Sequence, residues 1–386
     1  MLPRVAMRRA LILPAAIVVL AGPFVAGYVL SRPDNATTPV ALPSLADEVR
    51  EALAGRYYRP VSAGVLRLDS VHAMLSALRD PYTAYLTPLS YRLVRQNTAA
   101  SYSGIGVGVL PTERGLVVVA VPAGPAARAG VQRGDVIVEI GGRPVVGLGA
   151  SKALARVVGS PRGPIKLVLD RQGTIVRLSV RRSFVHAPTV QGRLVPYAGA
   201  LWGYVRLASF RAGAAKLVAR ELRRLDRHGA AGFVLDLRSD PGGLLSQAVA
   251  VSSLFLNGGP VVSLSGAHFV HEEFRASTGE ATTLPVVVLV DRYTASSAEI
   301  VAAALSERGR ALLVGERTFG KGVVQAVDPL DNGAALILTV ARYYTPDGED
   351  IEHVGIVPHL HAVDDPATPQ DEALLTALHA LARPPS

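Results

Sequence analysis

The chain has 386 residues, which is long enough for two or three domains, each with its own core. It contains no cysteine, and this excludes a thiol nucleophile, a lipoprotein anchor, thiolate metal sites and disulfides. The formal net charge is +9, but the arginines are scattered and aromatic residues are few. We therefore expect no nucleic-acid partner.

The first segment, residues 1–31, predicts export. Residues 10–30 carry no charge, and three arginines, Arg4, Arg8 and Arg9, precede them. About 20 apolar residues span a bilayer core, and flanking arginines stay on the cytoplasmic side. An uncleaved signal anchor and a cleaved signal peptide both fit, and the length favours the anchor. We expect a cell-membrane partner for this segment and an extracytoplasmic body for the rest.

Residues 32–87 read as a linker followed by a small helical segment. The linker is rich in proline and threonine up to residue 43. Ser44 predicts the start of a helix with apolar residues at helical spacing. A second helix is predicted from Ser70 to Leu78, and these helices are expected to serve packing.

Residues 88–183 form a separate module in this interpretation. Its predicted elements are strands at 104–110 and 115–121, a short helix at 124–130, a strand at 135–142, a helix at 151–158, and a hairpin at 165–170 and 174–180. The glycine pattern from Gly104 to Gly108 is followed by a strand, whereas a dinucleotide site needs a helix there. The alternative is a loop of free amides, from Gly104 through Ile105 and Gly106 to Val107, that captures a peptide carboxylate beside a strand edge.

Residues 184–363 alternate apolar strands with helices, which predicts an α/β core, and residues 364–386 form a C-terminal segment. The segments that carry this pattern are 202–207, 216–227, 233–237, 248–256, 286–290 and 299–307.

Ser296 follows the apolar run of residues 286–290 and precedes the predicted helix that starts near Glu299. A helix start is a favourable place for a nucleophile, because free amides and the positive end of the helix dipole stabilise an oxyanion. Serine is also a common helix cap, and taken alone Ser296 would more often be one.

Lys321 lies 25 positions after Ser296, and neither segment contains a histidine, so the base would have to be lysine. Apolar neighbours and flanking glycines predict that its amine is buried, which would lower its pKa as a neutral base requires. Gln325 could orient the amine only if the segment bends, because four residues of straight strand span about 13 Å. Taken alone, Lys321 would be an ordinary surface lysine.

Residues 236–245 include Pro-Gly-Gly after a predicted strand, and glycine amides approach a substrate without steric hindrance. A simple turn explains the same Pro-Gly-Gly sequence. Asp236 and Asp240 resemble a metal pair, but no histidine lies nearby. His268 and His271 lack the spacing of a zinc hydrolase and are expected in a solvated loop.

Taken together, these motifs resemble the carboxy-terminal processing peptidases, or tail-specific proteases, which are serine–lysine endopeptidases with a PDZ domain. The resemblance covers residues 44–362. It rests on Leu78 to Pro88, which resembles the family's approach to its PDZ domain, and on Tyr102 to Val107 and Gly124 to Ile137 in the module. In the core it rests on Asp236 to Leu245, Thr294 to Ile300 and Gly315 to Gln325. It implies a ClpP/crotonase-like α/β core with an inserted PDZ domain.

By this resemblance Ser296 is the nucleophile, Lys321 the general base and Gln325 its orienter. The amides of Gly242 and Ser297 would form the oxyanion hole, with Gly243 as an alternative to Gly242. The loop from Gly104 to Val107 would bind the C-terminal tails of protein substrates. The reaction would need no metal and no cofactor.

This sequence departs from the family pattern at three points. The nucleophile segment reads Thr-Ala-Ser-Ser-Ala-Glu, and the spacing to Lys321 selects Ser296 from the two serines. Val158-Gly159 stands where many relatives have an Arg-Gly pair that is thought to couple the PDZ domain to the active site, and His359 stands where aspartate is common. An inactive PDZ scaffold and a small-molecule acyl hydrolase on the same core remain as alternatives.

Overall fold

The computed structural model describes residues 44–80, 82–88, 90–92, 102–112, 114–121, 124–145, 163–185, 189–364, 368 and 370–383. These residues divide into two compact units, one over 102–185 and the other made of the flanking ranges. Within the described ranges, no helix combines the length and apolar character needed to cross a membrane. The predicted export segment 1–31, the predicted helix 151–158 and Val158-Gly159 lie outside these ranges.

The helical segment before the small unit belongs to the core. Its elements are helices α1 (Leu45–Arg56), α2 (Ala63–Leu66) and α3 (Val71–Leu78) and strand β1 (Ala84–Leu86). The two predicted helix starts are confirmed: the side chains of Ser44 and Ser70 each accept a backbone N–H of the first turn at 3.2 Å. Val49 and Met74 are fully buried in the main core, so these helices do serve packing.

The small unit over 102–185 is a β-rich fold with one short helix among its described residues. It contains β2 (Tyr102–Gly104), β3 (Gly108–Thr112), β4 (Gly115–Ala120), α4 (Pro125–Arg128), β5 (Val136–Ile140), β6 (Arg143–Pro144), β7 (Pro164–Arg171), β8 (Thr174–Arg181) and β9 (Ser183–Val185). The main sheet has the order β3-β4-β5-β7-β8, β6 pairs with β5, and β2 pairs with β9. The predicted continuous strand over 104–110 is wrong, because the chain leaves β2 at Gly104 and Gly106 has a φ of 76°, which no strand allows.

The α/β core follows, with strands and helices in alternation. Its elements are β10 (Val190–Tyr197), β11 (Ala200–Leu207), α5 (Ala214–Arg227), β12 (Ala230–Asp236), α6 (Leu245–Ser252), β13 (Pro260–Gly266), β14 (Phe269–Arg275), β15 (Val286–Val290), α7 (Ser297–Glu307), β16 (Ala311–Gly315), β17 (Val323–Pro329), β18 (Ala335–Tyr344), β19 (Leu360–His361) and α8 (Glu372–Ala382). Two sheets result, one with the order β10-β11-β12-β15-β16-β19 and one in which β18 pairs with β1, β13 and β17 while β14 extends from β13.

The first of these sheets positions the candidate nucleophile. Strands β11, β12, β15, β16 and β19 are parallel, so their carboxyl ends meet at one edge. Val288 packs in the main core, whereas Val287 packs against α8 in a second cluster, so both faces of the sheet are covered. The fully apolar run of β15 is explained by this double burial. The Pro-Gly-Gly segment and Ser296 follow β12 and β15 and therefore leave the sheet at the same edge.

The second sheet carries residues on the other side of the candidate site. Lys321 comes two residues before β17, and Tyr343 lies near the end of the neighbouring strand β18. The expectation of a solvated loop at His268 and His271 is wrong in its structure, because these residues form the turn and start of the β13–β14 hairpin. Both are exposed, as a solvated interpretation requires.

Candidate active site

Ser296 lies in a strained turn between β15 and α7. It is the cap residue of α7, with φ 57° and ψ −121°, and it is 5% exposed. A non-glycine residue in this region costs on the order of 1–3 kcal/mol, so its surroundings must impose the conformation. The predicted position of Ser296 at a strand-to-helix boundary is confirmed.

The surroundings that fix this turn centre on Glu299, which is completely buried. One carboxylate oxygen, Oε2, accepts the N–H of Ser296 at 2.8 Å and the N–H of Lys321 at 2.9 Å. The other oxygen accepts the N–H of Gly320 at 2.8 Å and the hydroxyl of Thr318 at 2.5 Å. Burial raises the pKa of Glu299, and these hydrogen bonds oppose that shift. One side chain thus joins the nucleophile turn to the lysine segment.

Tyr343 makes a second connection between the same two segments. The single proton of its hydroxyl is shared between two carbonyl oxygens, that of Lys321, which is the closer, and that of Ser296 at 3.3 Å. The tyrosine is 1% exposed. Sequence reasoning missed both Glu299 and Tyr343. The Ser-x-x-Glu spacing of a capping box could have indicated Glu299, whereas no local signal marks Tyr343.

Lys321 is 5% exposed, and its surroundings suit a neutral amine. Burial lowers the pKa of Lys321 to about 8, and the negative charges of Glu352, Glu299 and Asp80 hold it from falling further. The expected burial of the amine is therefore confirmed. Its Nζ also lies 5.1 Å from the centroid of the Tyr82 ring.

Gln325 lies on β17, at a point where the pairing with β18 shifts register between Val324 and Gln325. The side chain is 2% exposed, and its Nε2 has no hydrogen-bond partner among the described residues. The segment is therefore a bulged strand and not the helix that would bring residues four apart together. The role of Gln325 stays a prediction.

The Pro-Gly-Gly segment lies directly against the nucleophile turn. A Cβ atom on Gly242 would come within 2.7 Å of the Ala295 oxygen and 2.8 Å of the Ser297 nitrogen, and its φ is 93°. The Ser297 hydroxyl donates to the carbonyl oxygen of Gly243 at 2.9 Å and ties the two segments together. The structure therefore brings Gly242 and the Ser297 amide together, as the sequence predicted.

The amide of Gly242 is engaged in this structure, since it donates to Oδ1 of Asp240 at 2.8 Å. Asp240 is fully buried, and its Oδ2 has no hydrogen-bond partner among the described residues. Burial raises the pKa of Asp240 well above its ordinary value. The backbone carbonyl oxygen of Asp240 accepts the N–H of Ala295 at 2.9 Å, so Asp240 contacts both the Gly242 segment and the nucleophile turn.

Asp236 has different partners from Asp240. It accepts the hydroxyl of Tyr204 at 2.6 Å and pairs with Arg238 at 2.7 Å, and Arg238 also pairs with Asp371 at the start of α8. This network fastens the C-terminal helix to the end of β12. Among the described residues, no group of three or more histidines and carboxylates is arranged to hold a metal ion.

In the small unit, the loop from Gly104 to Val107 joins β2 to β3. Ile105 and Val107 are buried in the core of the unit, and the carbonyl oxygen of Ile105 accepts the amide of Ala126 at 2.8 Å. Any peptide contact of these two residues must therefore come from their backbone. The positive φ of Gly106 turns the loop between them.

The α/β core thus carries a strained serine, a buried lysine of lowered pKa and a neighbouring glycine turn, which are the kinds of group that serine-type hydrolysis requires. Comparison with known proteins agrees. The model of Peptidase family S41 matches residues 202–362, and a PDZ domain model matches residues 116–171.

Relatives that match most of this chain identify the family. The chain is 36% identical to a carboxyl-terminal-processing protease of Picosynechococcus over 78% of this chain and 74% of the relative. It is 34% identical to the carboxy-terminal processing protease CtpA of Bacillus subtilis, over 81% and 67%. The solved photosystem II D1 C-terminal processing protease matches with a TM-score of 0.71 and 29% identity, covering 88% of this chain and 97% of that structure. The chain belongs to Peptidase family S41 and is a serine-type carboxy-terminal processing peptidase with a PDZ domain. The predicted family, fold class and enzyme class are confirmed.

Proposed function

We propose that Ser296 and Lys321 form the catalytic dyad. Neutral Lys321 takes the proton of the Ser296 hydroxyl, and the serine oxygen attacks a peptide carbonyl to form an acyl-enzyme. The protonated lysine returns the proton to the leaving amine, and water then releases the acyl group with the same lysine as base. The observation that carries this proposal is that Glu299 and Tyr343 are each hydrogen-bonded to both the Ser296 turn and the Lys321 segment, and that Lys321 is buried.

The oxyanion would be held by the amides of Gly242 and Ser297, with Gly243 as the alternative to Gly242. Removing one such donor typically lowers the rate about 10²–10³-fold. The amide of Gly242 must release Asp240 before it can serve, because a single N–H already donates at 2.8 Å in this structure. Gln325 would orient the lysine through its amide oxygen, which can accept a hydrogen bond from the amine.

The PDZ domain, proposed over residues 88–183, would bind the C-terminal carboxylate of a loosely folded protein at the loop from Gly104 to Val107. Exposed backbone amides are the donors that such a carboxylate needs. We propose that residues 1–31 export the chain, as an uncleaved anchor in the cell membrane or as a cleaved signal peptide, so that the peptidase core (184–363) acts on extracytoplasmic proteins and the C-terminal segment (364–386) follows it.

The test compares the full chain with Ser296→Ala and Lys321→Ala on an unfolded protein that ends in an apolar carboxy terminus, and on the same protein amidated at that end. We expect cleavage by the parent, loss in both variants, and weaker cleavage of the amidated substrate, read by intact mass.

Matched controls separate the roles of neighbouring residues. Ser297→Ala keeps the backbone amide but loses the hydroxyl bond to Gly243, so it should still cleave at a reduced rate. Lys216→Ala changes an exposed lysine of α5 and should leave cleavage unchanged. Cleavage that survives Ser296→Ala contradicts the assigned nucleophile. Tail binding without cleavage by the parent would favour the inactive scaffold.

A further inference from the structure

The turn before β1 covers the amine of Lys321 with an aromatic ring. The Nζ atom lies 5.1 Å from the ring centroid of Tyr82, which is within the range of a cation–π contact. Tyr82 is half-buried and belongs to the same compact unit as Lys321. No motif that defines the dyad includes this tyrosine.

The turn that carries Tyr82 is fixed by its own hydrogen bonds. The carboxylate of Asp80 accepts the Tyr82 amide at 2.8 Å and the Thr83 hydroxyl at 2.7 Å. The same carboxylate accepts the Thr339 hydroxyl of β18 at 2.7 Å and the Tyr57 hydroxyl at 3.1 Å. These bonds fix the backbone of Tyr82, and its ring lies beside the lysine amine in this structure.

We propose that Tyr82 is a positioning residue for the general base: its ring closes the lysine pocket to water and holds Nζ in place. This inference rests on the proposed role of Lys321 as the base. Two effects of the ring oppose each other. Its face stabilises the ammonium, whereas exclusion of water favours the neutral amine.

Exclusion of water is the larger effect, because burial is the dominant influence on the lysine. The charged groups around the amine, Glu352, Glu299 and Asp80, all favour the ammonium and are outweighed by burial. The hydroxyl of Tyr343, from β18, is held by backbone carbonyl oxygens and brings no charge. Burial also raises the pKa of Tyr82 far above its ordinary value, so Tyr82 stays neutral and does not compete as a base.

Three substitutions separate the functions of the ring. Tyr82→Phe keeps the ring and loses the hydroxyl, Tyr82→Leu keeps a cover without a π face, and Tyr82→Ala opens the pocket. Tyr85→Ala is the matched control, because Tyr85 lies on the same segment but its hydroxyl contacts Asn332.

The primary readout is the pH midpoint at which Lys321 reacts with acetic anhydride in a Ser296→Ala background, followed by peptide mass spectrometry. Midpoints are compared instead of rates, because opening the pocket also changes access. A second readout is kcat and KM for a small ester substrate of the otherwise unmodified chain.

We expect Tyr82→Phe and Tyr85→Ala to keep the parent midpoint, and Tyr82→Ala to raise it by about one pH unit. At pH 7 that rise lowers kcat about tenfold, because the neutral fraction of the amine falls by that factor, while KM changes little. Tyr82→Leu should leave the midpoint unchanged or lower it, because the cover remains and the π face is lost.

The inference is overturned if Tyr82→Ala leaves the acylation midpoint unchanged, or if it raises KM without lowering kcat. Either result leaves the proposed dyad intact. If the alanine variant does not fold, a raised midpoint in Tyr82→Leu overturns it equally. Cleavage by Lys321→Ala would instead refute the dyad, and the acylation midpoints would still be valid.

Discussion

Replacing Lys321 by methionine should abolish activity and make the core unit more stable. The side chains are similar in length, but methionine has no charge to desolvate. In the native state burial lowers the pKa of Lys321 from 10.5 to about 8. At about 1.4 kcal/mol for each pKa unit, the protonated lysine destabilises the native state by roughly 3 kcal/mol at pH 7.

The sign of the pH dependence follows from the same shift. Between pH 8 and 10.5 the unfolded chain binds more protons than the native chain, so parent stability rises with pH over this window. Below pH 8 both states are protonated and the penalty is constant. The advantage of Lys321→Met should therefore be largest at pH 7 and should fade as the pH approaches 10.5.

Urea unfolding between pH 7 and 10 measures this difference. The single tryptophan, Trp202, is buried in the core, so its fluorescence reports on this unit. Lys216→Met is the matched control, since Lys216 is exposed on α5. Equal or lower stability of Lys321→Met at pH 7, or an advantage that does not change with pH, would refute the reasoning.

Three further predictions follow from the hydrogen bonds and close contacts of the site. Glu299→Gln replaces one acceptor oxygen by a donor group that faces buried N–H groups. We expect kcat to fall by about 10² or more and the free energy of unfolding to drop by about 2 kcal/mol, with Glu307→Gln as the control. Asp240→Asn keeps an acceptor for the Gly242 amide but cannot ionise. Burial raises the pKa of Asp240, so the parent loses stability as the pH rises above about 4. The variant should therefore be more stable than the parent at pH 7, as measured by urea titration. Gly242→Ala forces a Cβ against backbone atoms of the nucleophile turn, so acylation by a small ester should be lost, whereas Gly258→Ala, which meets only a side chain at 3.7 Å, should retain it.

The sequence predicted the features of the site that depend on local patterns. The strand over Val286–Val290 has the predicted bounds, and Ser296 lies at the predicted boundary because an all-apolar run and a helix start are both short-range signals. The strand over 104–110 was wrong because a glycine pattern does not reveal which residue takes a positive φ.

The contacts that fix the dyad are non-local, and this is why they could not be read from the chain. The carboxylate of Glu299 meets Lys321 22 residues away, and Tyr343 reaches back 47 residues to Ser296. The Asp80 turn is fixed by Thr339, 259 positions later, through the pairing of β1 with β18. Such partners become visible only once the sheet order is known.

These contacts also explain how a buried lysine is tolerated at the site. The amine would be expelled to solvent if its segment could move, because charging it in place costs about 3 kcal/mol at pH 7. Glu299 accepts the backbone N–H of Lys321, and Tyr343 is hydrogen-bonded to its carbonyl oxygen, so both hold the segment through its backbone. Burial sets the pKa of the amine and the charge of Glu299 contributes to it, so substitution of Glu299 should change both stability and the pH profile, whereas substitution of the neutral Tyr343 should change stability.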